Sequence, residues 1–167
     1  MKDAKYWIDK LGLQAHPEGG YFSENYKSEE IFPHNSLPDR YHSKRSFGTS
    51  IYFLLTPESM SHFHRLKSDE IWYYHQGGSA IIHMINADGD LKSKRIGTDL
   101  EAGDSLQVII PNGTWFAAEV VAEEFILAGC SVSPGFEFED FELADRQALT
   151  SAYPEHKTLI QRFTNNG

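Results

Sequence analysis

An all-β sandwich or barrel is the fold class this 167-residue sequence predicts, and two observations predict it. Seven short runs rich in aromatic and β-branched residues follow one another from Gly19 onward: GGYFSENYKS, TSIYFLLT, EIWYYH, SAIIHMI, SLQVIIP, TWFAAEVV and EFILAGCSV. Such residues suit a pleated, half-buried surface. The runs are separated by turn formers, among them Gly77-Gly78, Asn86-Ala87-Asp88-Gly89-Asp90 and Pro111-Asn112-Gly113, whose backbone preferences favour reversal over continued extension.

Ahead of the β runs, DAKYWIDKLGL reads as a short amphipathic helix. Asp3 is placed to cap it, Tyr6, Trp7, Lys10 and Leu11 fall at helical spacing, and Gly12 can end it. The polar stretch 28–46 has two prolines and no β periodicity, which predicts a long loop or arm with a mobile tip. Asn86 to Asp90 predicts a hairpin turn. The tail ADRQALTSAYPEHKTLIQRFT returns to helical spacing around Leu149 and again around Leu159, Ile160 and Phe163. Pro154 forces a break between the two pieces, which are expected to cap an open end of the β structure. No repeat or linker divides the chain, so residues 1–167 are expected to form one domain with its barrel core at about residues 19–142.

Apolar residues make up 40% of the chain and 22 positions are aromatic (11 Phe, 8 Tyr, 3 Trp), which supplies a packed core and excludes disorder as the main state. The formal charge of −9 disfavours nucleic acid, whose association is driven by Lys and Arg neutralising phosphates. That charge is local. Residues 1–95 hold 12 acidic and 12 basic side chains, whereas 96–145 hold 11 acidic and no basic ones. The lone Cys130 cannot form an internal disulfide, and the opening MKDAKYWIDKLG has no apolar run of signal-peptide or membrane-span length. A cytoplasmic location without membrane association is therefore the expectation.

Four histidines, His62, His64, His75 and His83, fall within 22 residues. Strand residues two apart share a face, so His62 and His64 could present both imidazoles to one cavity. If Arg65 to Asp69 forms a hairpin turn, Glu70 joins them. Two imidazoles and a carboxylate are the ligand set of many divalent-metal sites. Strand parity extends the expected cavity lining to Trp72, Tyr74, Gln107 and Trp115. An aromatic wall with a few polar groups suits a sugar or nucleobase. Arg45 and Arg65 are candidates for pairing bidentately with a phosphate or carboxylate of the ligand. Cys130, closing the apolar run EFILAGC, reads as a buried small residue.

Taken together, these residues resemble the cupin superfamily and its two motifs, G-x5-HxH-x3-4-E-x6-G and G-x5-P-x-G-x2-H-x3-N. His62, His64, Glu70 and Gly77 fit the first in order, although Thr56 replaces its opening glycine and five residues separate His64 from Glu70. Gly103, Pro111 and Gly113 fit the second, but Phe116 stands at the position of the third metal-ligating histidine. A closer resemblance, to the domain-of-unknown-function 985 (cupin-5) family, runs from about residue 6 to 163. It rests on His16-Pro17-Glu18-Gly19-Gly20-Tyr21, His64-Arg65 with Asp69-Glu70-x-Trp72, Gln107 through Trp115, and Ser133-Pro134-Gly135-Phe136 with Asp140-Phe141-Glu142. The resemblance implies an all-β double-stranded β-helix, a jelly-roll barrel, commonly dimeric, and no established reaction.

Three readings of function follow. The first is a barrel pocket for a small polar molecule such as a sugar or nucleotide sugar, working as a metal-free isomerase or epimerase with no cofactor. There His64 is the general base, since an unperturbed imidazole pKa of about 6.5 suits proton abstraction beside a carbonyl. Glu70 orients it and Tyr74 supplies the opposing proton. In the second, His62, His64 and Glu70 bind a divalent metal for Lewis-acid or oxygen chemistry, with Phe116 weighing against it. The third is a non-enzymatic binding or storage module.

Overall fold

The computed structural model describes residues 2–121 and 124–165. Helix α1 (Ala4–Leu11) is capped as its sequence predicts: the Asp3 carboxylate accepts from the Tyr6 amide, and Gly12 ends it at φ +63°. The strands that follow are β1 (Gln14–Ala15), β2 (Tyr21–Lys27), β3 (Ile31–Phe32), β4 (Arg45–Ser46), β5 (Thr49–Leu55), β6 (Ser61–Arg65) and β7 (Asp69–Gly77). After them come β8 (Ala80–Ile85), β9 (Leu91–Ile96), β10 (Asp104–Ser105), β11 (Gln107–Ile110), β12 (Trp115–Val120), β13 (Ile126–Ser133) and β14 (Glu142–Leu143). Helices α2 (Arg146–Ala152) and α3 (Lys157–Arg162) end the chain.

Twelve of the strands form two six-stranded sheets, in the orders β1-β2-β5-β13-β7-β11 and β10-β9-β8-β12-β6-β14. Their facing sides make the main core: Phe53, Leu55 and Trp72 of the first sheet meet Ile82, Met84, Phe116 and Ala118 of the second. The alternate residues Ile85, Trp115 and Ala117 point the other way, where Leu149, Ile160 and Phe163 cover them. Helices α2 and α3 thus pack on the outer side of the second sheet instead of capping an open end. Their amphipathic pattern fits either partner, and only the apolar outer residues of β12 decide between them. Helix α1 covers Leu54 and Leu127 on the outer side of the first sheet through Trp7, Ile8 and Leu11.

The hairpin predicted at Asn86–Asp90 joins β8 to β9: the Asn86 amide donates to the Asp90 carbonyl, and Gly89 takes φ +87°. Stretch 28–46 is an arm, as expected, and a pinned one. β3 pairs with β4, and Tyr41 is wholly buried, its hydroxyl donating to the Lys67 carbonyl at 2.9 Å. The expected β6–β7 hairpin does not form. The two strands belong to different sheets, so the chain crosses the sandwich between Arg65 and Asp69.

Candidate functional site

A cavity of about 230 Å³ lies between the sheets. Its walls are largely apolar: Phe22, Ile51 and Phe53 from the first sheet, Leu66, and Phe136, Phe138 and Phe141 from the segment that follows β13. Glu18, Thr49, His64, Glu70 and Cys130 are its buried polar residues, with His16 beside them, and Lys27, Glu24 and Glu137 lie toward its edge.

Glu18 reaches this position through local backbone chemistry. Gly19 has φ +106°, and a Cβ there would lie 2.0 Å from the Met60 carbonyl oxygen, so only glycine lets the β1–β2 turn come this close to β6. The approach is fixed by the His62 amide, which donates to the Glu18 carbonyl at 2.7 Å. It brings the Glu18 carboxylate to Ser61, whose hydroxyl donates at 2.9 Å, and to His64 Nε2 at 2.8 Å.

Pairing along β6 is irregular. Phe116 of β12 pairs with His64 but Ala118 pairs with Ser61, so β6 carries an extra residue there. The bulge breaks the two-residue period, and Ser61 and His64, three apart, both face Glu18. His62 instead turns its Nδ1 to the Glu18 carbonyl at 2.7 Å.

Both ring nitrogens of His64 face acceptors. Nδ1 lies 2.7 Å from the His62 carbonyl, which can only accept, and Nε2 meets the Glu18 carboxylate. Burial alone would lower the His64 pKa, but the Glu18 charge outweighs it and holds the pKa above its usual value. Burial would likewise raise Glu18, and the His64 charge outweighs that and holds Glu18 down. The two form a buried imidazolium–carboxylate pair. His16 differs: burial lowers its pKa, its Nδ1 accepts from the Glu18 amide at 3.1 Å, and its ring packs edge-on against Phe22.

Glu70 faces this pair from the other sheet. Its Oε1 accepts from Trp72 Nε1 at 3.2 Å, and the Cys130 thiol is a second hydrogen-bond partner. Burial first, and the Glu18 charge second, push its pKa up to about 7. Burial and the same two carboxylates push the Cys130 thiol well above its usual range.

Of the residues the sequence nominated, His64 and Glu70 therefore meet in the cavity. The others lie elsewhere. Trp72 is core, touching the site through its indole N–H. Tyr74 donates to the Gly77 carbonyl and does not line the cavity. Gln107 is exposed on β11, its neighbours Val108 and Ile110 taking the inward positions. Trp115 packs on the outer side of its sheet beneath Arg65, whose guanidinium carbon lies 4.5 Å from the indole centre. Arg65 itself pairs with Glu142 at 2.7 Å. Arg45 is fully buried and bidentate on Asp140, at 2.8 and 2.6 Å, with Glu139 at 2.8 Å. It clamps the segment carrying Phe136, Phe138 and Phe141, and it does not reach the cavity.

The metal set His62, His64 and Glu70 is not assembled. His64 has no free lone pair and His62 Nδ1 is taken by a carbonyl. Among the described residues no three His, Cys, Asp or Glu side chains form a group that could hold a metal ion. Glu18 and His16 carried no role in the sequence reading. Their only signal was the His16-Pro17-Glu18-Gly19-Gly20 string itself, in which two glycines beside an acidic residue mark a close backbone approach.

Residues 5–144 match the family described as Cupin_5, cupin superfamily (DUF985). The chain belongs to this family. The cupin is 41% identical to the solved structure of protein SO0799 from Shewanella oneidensis, with a TM-score of 0.90 and all of both chains covered. A hypothetical protein from Leishmania major is 35% identical, with a TM-score of 0.91 over 99% of this chain and 100% of that one. The yeast (Saccharomyces cerevisiae) protein named Uncharacterized protein YML079W is 33% identical over 143 residues, 80% of this chain and 71% of that protein. The double-stranded β-helix expected from the motifs is the fold observed. No helix among the described residues is long and apolar enough to cross a membrane.

Proposed function

We propose that this cupin binds a small organic molecule in the cavity between its sheets and moves a proton to or from it, as an isomerase or epimerase does, with Glu70 as the proton-transfer group. The observation that carries this is a carboxyl buried in an open cavity with a pKa of about 7, so that both of its protonation states are populated near neutrality. The Glu18–His64 pair beside it sets the field at Glu70, where the Glu18 charge favours the protonated carboxyl. With both ring nitrogens engaged, His64 has no lone pair to act as a base, and the general-base role that its sequence position suggested passes to Glu70. The phenylalanine walls give the Glu70 carboxyl apolar surroundings, which favour its protonated form. Among the described residues no arginine lines the cavity, and Arg45 and Arg65 are engaged by Asp140 and Glu142, which argues against a phosphate held there by either.

The test is a thermal-shift search of small metabolites, with each hit then incubated in D2O and followed by proton NMR. Deuterium entering a carbon position with wild type but not with Glu70→Gln supports the reading. Hits that never exchange, or that exchange equally with Glu70→Gln, refute it and leave a pure binding module. A homodimer in the cytoplasm completes the proposal. Leu106 and Ile109, about half exposed on or beside the edge strand β11, support association there, and light scattering reads the mass.

A further inference from the structure

The charges lining the cavity do not balance. Four carboxyl groups, Glu18, Glu24, Glu70 and Glu137, stand against two cations, Lys27 and the His64 imidazolium. Glu18 is taken by His64 and Glu137 by Lys27, at 2.8 Å each. Glu24 and Glu70 have no ion-pair partner among the described residues, and Glu70 is only 7% exposed. This buried carboxyl receives one indole N–H and one thiol, and the nearest charge of opposite sign, His64, is already paired with Glu18. Phe22, Phe53, Phe136, Phe138 and Phe141 line the same cavity. Phenyl faces carry negative quadrupole potential and attract cations, and alkylated ammonium groups are bound in this way because their methyl groups fill an apolar cage while their charge meets the ring faces.

From this juxtaposition of five cavity-lining phenylalanines with a buried carboxyl that has no ion-pair partner, we infer that the ligand of this cavity is a small organic cation bearing an alkylated ammonium group. This rests on the cavity being the binding site and deepens the proposal above by naming the ligand class. The ligand supplies the positive charge that Glu70 lacks. Binding therefore draws the proton off Glu70, and the cation converts the carboxyl into the base that the proton-transfer step needs. The groups facing Glu70 are Glu18 and His64, whose charges act on it in opposite directions with Glu18 the stronger, and the Cys130 thiol, which stays protonated. His16 beside them is neutral.

The probes are choline and its uncharged isostere 3,3-dimethyl-1-butanol, titrated by calorimetry into full-length protein at pH 6 and pH 8. Expected at pH 8 is about a tenfold preference for choline, a modest value for a partly desolvated cation–π site. Proton release on choline binding should be visible as a dependence of the heat on buffer ionisation enthalpy. The preference should shrink at pH 6, where Glu70 is protonated, and fall to about twofold or less in Glu70→Gln, whose fold is checked by its melting curve. Equal binding of the two probes overturns the inference, as does failure of both to bind, or an unchanged preference in Glu70→Gln. If neutral carbonyl compounds exchange deuterium while choline does not bind, the ligand class is refuted and the proton-transfer reading stands. If choline binds and no ligand exchanges, the reverse holds.

Discussion

Replacing Glu70 by Gln should make this protein more stable at alkaline pH. The Glu70 pKa rises from an ordinary 4.5 to about 7 in the fold. A carboxyl that holds its proton more tightly when folded costs stability as pH climbs from 4.5 to 7, and above that the cost is complete. At about 1.4 kcal/mol for each pH unit by which a pKa moves, the cost is about 3 kcal/mol. Glutamine is uncharged at every pH, nearly isosteric, and keeps an oxygen for the Trp72 indole N–H, so it removes the cost while preserving the contact. Glu70→Gln should therefore match wild type near pH 4.5 and exceed it by about 3 kcal/mol above pH 7.5. For a domain of this size that is a rise in Tm of about 10 °C. Melting curves by circular dichroism from pH 4.5 to 8.5 read it. A difference in Tm that stays constant with pH would refute the buried, half-ionised carboxyl, and so would a variant less stable than wild type at pH 8.

Three other perturbations have defined outcomes. Glu18→Gln leaves the buried His64 without its counter-charge and should cost about 3 kcal/mol at pH 6. Nitrogen-15 NMR should show His64 as imidazolium in wild type and as a neutral tautomer in the variant at pH 7; a neutral wild-type ring would contradict the pair. The pair's contribution has a pH window. The lowered Glu18 pKa makes it fade as pH falls below about 4.5, and the raised His64 pKa makes it fade as pH climbs above about 6.5, so the deficit of Glu18→Gln should be greatest between those limits. Arg45→Met strands the buried Asp140 carboxylate and should cost about 3–5 kcal/mol, with faster proteolysis between residues 134 and 142 if the clamp holds that segment. Arg65→Ala breaks a half-exposed pair with Glu142 and a contact over the Trp115 indole, so unfolding by urea should register about 1 kcal/mol, with ligand binding unaltered.

The β-strand runs, the Asn86–Asp90 turn and the capped first helix were legible because each depends on neighbours in sequence. What escaped depended on partners far along the chain. The two-residue period of β6 is broken by its irregular pairing with β12, so His62-Phe63-His64 does not present two imidazoles together, and no local pattern announces that bulge. A polar stretch between His64 and Glu70 reads equally as a hairpin or as a crossing between sheets, and only the placement of β7 between β13 and β11 decides. The two residues nevertheless face each other, because both fall on inward positions of opposing sheets. Arg45 looked like a ligand anchor because a lone arginine carries no sign of its partner, and Asp140 lies 95 residues away. Glu18 was visible only as part of a string whose glycines turn out to permit its approach to Met60.

The wall carrying Phe136, Phe138 and Phe141 is the side of the cavity that owes least to strand pairing. It is held at one end by the Gly135 amide on the Ser46 carbonyl and at the other by Arg45 on Asp140. Between those two ties the Phe138 ring can be exchanged without touching a single sheet hydrogen bond. Because Phe136 and Phe141 belong to the strings that carry the family resemblance, a change in the molecule accepted should fall at residues 137–139, leaving Glu18, His64 and Glu70 in place.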